Sequence, residues 1–153
     1  RAKTNIVQSR SLLEMLDNAI KKYNNGLLST AEIIQFLVDE VAKKIREHDE
    51  REKTLGLSRE ELAFYDALAE NASAVQVLGD EKLRIIAVEV AEKVKANASI
   101  DWTIRESARA KLMVLVRRTL NKYGYPPDKQ QKAIETILEQ AKLMADYFVD
   151  NEL

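Results

Sequence analysis

An all-α, bundle-like domain of about five to seven helices is what this sequence predicts, and three observations carry the prediction. No segment alternates apolar and polar residues with the period of two that a half-buried strand requires. All four glycines, Gly26, Gly56, Gly79 and Gly124, fall between periodic apolar segments, where a left-handed cap or turn ends a helix. Helix start signals of the form Ser/Thr-x-x-Glu recur at Ser29, Ser58 and Thr103.

The first helix is expected from about Thr4 to Tyr23, with Leu12, Leu16, Ala19, Ile20 and Tyr23 on one face and a stop at Asn24-Asn25-Gly26. Ser29 and Glu32 form a capping box for the second, flanked by Leu28 and Ile33 at the two staple positions. Its apolar stripe is Ile34, Leu37, Val38, Val41 and Ile45, and His48 continues that stripe one turn further. A histidine there is either packed beside its own core or serves as a pH switch or catalytic base.

Ser58 and Glu61 repeat the capping box with staple residues Leu57 and Leu62, opening a third helix that carries Phe64, Tyr65, Leu68 and Ala69. After Gly79, the residues Leu83, Ile86, Ala87, Val90, Ala91 and Val94 follow helical spacing and predict a fourth helix that faces a core along its length. Thr103 and Glu106 cap a fifth, running to about Tyr123. The sixth begins at Pro127, which needs no N–H there, with Asp128 favourable at the positive end of the dipole. Its stripe is Ile134, Ile137, Leu138, Ala141, Met144 and Phe148. These elements are expected to make one helical domain over 1–153, an N-terminal helical pair at 1–56 followed by a helical core at 57–153.

A chain of 153 residues buries about two-thirds of its unfolded surface, so it needs no metal or disulfide for stability. It has no cysteine and a single histidine, His48, which excludes a thiolate or histidine-cluster zinc site and suits a reducing, cytoplasmic setting. Its 24 basic and 25 acidic residues cancel, so any charged partner is met by a local patch. The longest apolar run of weight, Leu112 to Val116, is far short of the roughly 20 residues of a membrane span. The glycines are too widely spaced for a phosphate-cradling loop, and Glu60/Glu61 and Asp80/Glu81 occupy first turns, where the dipole accounts for them. No catalytic, cofactor-binding or metal-ligating residue is therefore expected, and the chain, opening on Arg1, reads as a piece of a longer polypeptide.

The informative segment is the fifth helix. Arg105, Arg109, Lys111, Arg117, Arg118 and Lys122 face only Asp101 and Glu106 in that stretch, a local excess of about four positive charges. At 100° per residue Arg105 and Arg109 fall within the apolar arc of Ala108, Leu112, Leu115, Val116, Thr119 and Leu120. They must either pair with carboxylates of other helices, Asp101, Glu89 and Asp66 being the candidates, or end at a surface that another subunit covers. Lys111, Arg118 and Lys122, with Arg117 nearby, line an outer edge that is either a solvated face or a track for phosphates. Trp102 suits a corner wedge before a base-stacking platform, and Tyr123 and Tyr125 suit apolar fillers with wet hydroxyls.

Read together, the blocks Ala63-Phe64-Tyr65-Asp66-Ala67-Leu68, Val77-Leu78-Gly79-Asp80, Ile100-Asp101-Trp102-Thr103, Ala108-Arg109-Ala110-Lys111 and Tyr123-Gly124-Tyr125-Pro126-Pro127-Asp128 resemble the C-terminal helical region of the restriction (R, motor) subunit of type I restriction-modification enzymes. The resemblance implies an ATP- and Mg²⁺-dependent DNA-translocating and cleaving subunit, of which this chain carries only the helical end. It implies docking on the modification and specificity subunits as that end's task, with direct duplex DNA contact as the alternative. Arg105, Arg109, Lys111, Arg117, Arg118 and Lys122 are the candidate contacts for either partner.

Overall fold

The computed structural model describes residues 5–97 and 106–152, with side chains described for 5–97 and 109–144. Among these there are six helices and no strand: α1 (Ile6–Asn24), α2 (Thr30–Leu55), α3 (Arg59–Ala69), α4 (Ala72–Asn97), α5 (Glu106–Lys122) and α6 (Pro127–Glu152). The chain divides into two compact units, one of Gln8–Gly56 and one that joins Arg1–Val7 to Leu57–Leu153.

In the unit Gln8–Gly56, α1 ends in a Schellman motif: Leu27 N–H donates to Lys22 O at 2.9 Å and Gly26 N–H to Tyr23 O at 3.1 Å. The Ser29–Glu32 capping box is formed in both directions, each bond at 3.2 Å. What this unit lacks is a core. Only Ala19 and Ile33 of it are buried, and of the expected stripe of α2 Leu37 and Val41 are half-buried while Ile34, Val38 and Ile45 are 58%, 60% and 50% exposed.

In the larger unit α3 packs on α4, α4 on α5, α5 on α6 and α6 back on α3, closing a cycle of four helices. α3 is buried from Leu62 to Leu68, as befits a helix apolar nearly all round. Leu83, Ile86 and Val90 of α4, Leu112, Val116 and Leu120 of α5, and Ile134, Ile137 and Leu138 of α6 complete the core. Each such side chain contributes about 1.5–3 kcal/mol over leaving it in water. The start of the chain is tied to this bundle. Asn5 Nδ2 donates to the buried Asp66 carboxylate at 3.0 Å, and Ile6 N–H, an orphan donor of the first turn, reaches Gln140 Oε1 at 2.7 Å.

Two details depart from expectation. α4 starts before Gly79, at Ala72, because Asn71 Oδ1 accepts from Ser73 N–H at 3.2 Å and Ser73 Oγ at 2.8 Å and so caps a short first segment. Gly79 then breaks the axis with φ 77° and ψ 165°, a conformation essentially confined to glycine. The second departure concerns Tyr125, whose hydroxyl is not wet: it is buried and donates to Leu68 O of α3 at 2.7 Å. The Thr103–Glu106 cap and Trp102 lie outside the described residues.

Candidate interface on the fifth helix

The sequence of α5 fixes which side it buries. Leu112, Val116, Thr119 and Leu120 are buried and Leu115 partly so, as the helical arc requires. Leaving the helix, Gly124 at φ 76° allows a second Schellman motif, with Tyr125 N–H bonded to Leu120 O at 2.9 Å and Gly124 N–H to Asn121 O at 3.2 Å. Gln130 Nε2 then donates to Tyr125 O at 3.0 Å and Asn121 Oδ1 at 2.8 Å, so the turn is locked to the first turn of α6.

At the end of α5, Lys122, expected on the outer edge with Lys111 and Arg118, is held by a carboxylate from α4. Glu89 Oε1 accepts from Lys122 Nζ at 3.0 Å and from the Tyr123 hydroxyl at 2.8 Å, while Glu89 Oε2 takes Lys93 Nζ at 3.3 Å. Lys93 also donates to Thr119 Oγ1 at 2.7 Å, and that hydroxyl passes its own proton to Leu115 O at 3.0 Å. Burial pushes the Glu89 carboxyl up, but the bonds from Lys122, Tyr123 and Lys93 together outweigh it and hold the group at about 2. Lys122 is held above the usual lysine range by its bond to Glu89, and its ammonium lies 5.0 Å from the Tyr123 ring centroid.

The outer edge is a row of cations. Lys111, Arg117 and Arg118 are exposed there, with Val114, 47% exposed, between Lys111 and Arg118 on the same side. Arg117 Nη2 donates to Gln131 Oε1 of α6 at 3.3 Å, which holds the guanidinium at the α5–α6 seam. Arg109, which the helical wheel places within the apolar arc, reaches the surface: the buried stripe of the described side chains begins one turn later, at Leu112. Its proposed carboxylate partners are engaged elsewhere, Glu89 with Lys122 and Lys93 and Asp66 with Asn5. Arg105 and Asp101 lie outside the described residues.

Sequence reasoning missed the Glu89 centre. The Glu89–Lys93 spacing of four was the one local signal, whereas Lys122 and Tyr123 arrive only when α5 packs on α4. A cavity of about 160 Å³ lies between the end of α3 and α6, lined by Ala67, Asn71, Tyr125, Lys129, Lys132 and Thr136 among others. Two of its hydroxyls are already committed, Tyr125 to Leu68 O and Thr136 to Lys132 O. Among the described residues no three His, Asp or Glu side chains are grouped to hold a metal ion, and no helix is long and apolar enough to cross a membrane.

Residues 1–147 match a family model described as the C-terminal part of type I restriction enzyme HindI endonuclease subunit-like proteins. The chain is 40% identical over 146 residues to the type I restriction enzyme HindI endonuclease subunit of Haemophilus influenzae, an alignment that covers 94% of this chain and 14% of that protein. A Methanocaldococcus jannaschii protein, provisionally named the type I restriction enzyme MjaIXP endonuclease subunit, is 32% identical over 125 residues, 81% of this chain and 12% of its own length. The chain thus spans only 14% and 12% of the two relatives. No solved structure matches it.

Proposed function

Because the chain belongs to the family of type I restriction endonuclease subunits, matching their C-terminal part over residues 1–147, we propose that it is an assembly module rather than a catalytic one. Its task is to dock the subunit that translocates and cleaves DNA onto the methyltransferase core of modification and specificity subunits, in the cytoplasm. ATP and Mg²⁺ then act in the remainder of the polypeptide, and the parent protein is an ATP-dependent site-specific deoxyribonuclease.

The observation that carries this reading is the outer edge of α5. Lys111, Arg117 and Arg118 are exposed on a helix whose opposite side is held by buried apolar residues and by the Glu89 centre. A rigid cationic edge suits recognition, because little ordering is left to be done when a partner arrives. The test is a pull-down of the modification–specificity complex by the 153-residue chain at low salt. Retention of the complex is expected; no association refutes the reading.

A second reading is favoured by one feature, the placement of Lys111 and Arg118 seven residues apart on one exposed edge, with Arg117 beside them. Such a row can neutralise phosphates of duplex DNA, each contact making affinity more salt-dependent. Affinity for a random duplex measured against salt decides it. A flat response, or no loss in Arg117→Ala/Arg118→Ala, rejects direct DNA contact.

A further inference from the structure

Eight large apolar side chains of the unit Gln8–Gly56 are well exposed, Leu13, Ile20, Tyr23, Leu27, Ile34, Phe36, Val38 and Ile45, although this unit is the smaller of the two. With only Ala19 and Ile33 buried, most apolar side chains of this unit keep contact with water. On α2, the exposed Ile34, Val38 and Ile45 form a regular seam with the half-buried Val41. Ile34, Val38, Val41 and Ile45 are spaced four, three and four apart, so they share an arc of about 60° and run about 16 Å along the axis. That is the a/d spacing of a helix that packs lengthwise on another helix.

We propose that this seam is covered, within the same polypeptide, by an amphipathic helix lying outside these 153 residues. Length supplies the first argument: the chain matches 14% of the Haemophilus influenzae relative, so most of such a polypeptide lies elsewhere and is always at hand. Chemistry supplies the second. No charged residue interrupts the seam, and an uncharged, aliphatic strip is the composition of a permanent interface core, whereas separable partners meet through more polar surfaces. A strip covered in cis is also never exposed while the subunit awaits its partners, which removes an aggregation hazard that covering in trans would leave. The inference rests on family membership alone and stands or falls independently of docking on the methyltransferase core.

The experiment places a photoreactive benzoylphenylalanine at Val38, and separately at Ile45, in the complete subunit. After irradiation of dilute subunit alone, the cross-linked peptides are mapped by mass spectrometry. The expected product is an intramolecular cross-link from both positions to a single stretch outside residues 1–153, unchanged in yield over a tenfold dilution. Cross-links confined to residues 57–153, cross-links between two copies that fall on dilution, or cross-links that form only when modification and specificity subunits are added would each overturn the proposal, as would solvent adducts alone. Val38→Asp gives a second reading in the same protein. Tryptic cleavage at Lys43 and Lys44 of α2 should speed up at least tenfold in the complete subunit, and an unchanged rate contradicts covering in cis.

Discussion

Tyr125 reaches across from the α5–α6 turn to the end of α3 and donates its hydroxyl proton to Leu68 O at 2.7 Å, 57 residues away in sequence. Both residues are buried, so the bond satisfies a helix-terminal carbonyl that water cannot reach. Tyr125→Phe should cost about 1–3 kcal/mol of unfolding free energy, since the Leu68 carbonyl is left buried without its donor. Urea unfolding of the wild type and variant measures the difference; equal midpoints would remove Tyr125 from the account.

The same tyrosine sets an alkaline limit. Burial pushes its hydroxyl up to about 12 from the ordinary 10.0. Between those values the unfolded chain loses the proton while the folded one keeps it, so the contribution is complete below pH 10 and disappears as pH rises toward 12. Thermal midpoints recorded from pH 9 upward should fall more steeply for the wild type than for Tyr125→Phe.

At the acid end the controlling group is Glu89. Its carboxyl, held at about 2 against an ordinary 4.5, keeps its charge in the fold where the unfolded chain would be protonated. The stability it supplies is present above about 4.5 and is lost as pH falls toward 2. Glu89→Gln should be less stable than the wild type at neutral pH, by on the order of 1 kcal/mol, because Lys93 and Lys122 lose their counter-charge at a partly solvated site. The gap between the two proteins should narrow as pH is lowered to 2, and a constant gap would show that the carboxylate charge is not involved.

Gly79 tests the break in α4. Its φ of 77° and ψ of 165° are unfavourable for any side chain, yet a Cβ placed there meets nothing within 4 Å. Gly79→Ala should therefore lose about 1–3 kcal/mol through backbone strain alone, without a clash to relieve. A variant as stable as the wild type would mean that the break is not needed.

Local features were legible in the sequence because they depend on neighbours in the chain. The boxes at Ser29–Glu32 and Ser58–Glu61 both formed, the stripe from Leu83 to Val94 met the core, and Pro127 opened α6. What depends on packing was not. The Glu89–Lys122 and Tyr125–Leu68 contacts join residues 33 and 57 positions apart, and nothing in periodicity specifies them. Arg109 lay in the apolar arc of a helical wheel, but a wheel has no axial coordinate and cannot say that burial begins at Leu112. For Ile34, Val38 and Ile45 the pattern correctly reads as an amphipathic helix and is silent on what covers its apolar side.

Of the two partners weighed for the cationic edge, duplex DNA makes a quantitative demand. If Arg117 and Arg118 each meet a phosphate, the double alanine variant should reduce the slope of log affinity against log salt by roughly two. An unchanged slope assigns those arginines to a protein partner or to solvent.

Assembly in the absence of DNA decides whether this domain docks the subunit. Sedimentation velocity on the complete subunit mixed with the modification–specificity complex, against the same subunit lacking residues 1–153, separates docking by this domain from tethering through a shared duplex. One fast-sedimenting complex is expected for the complete subunit, and only the separate components once the domain is removed. Equal assembly with and without the domain would contradict it.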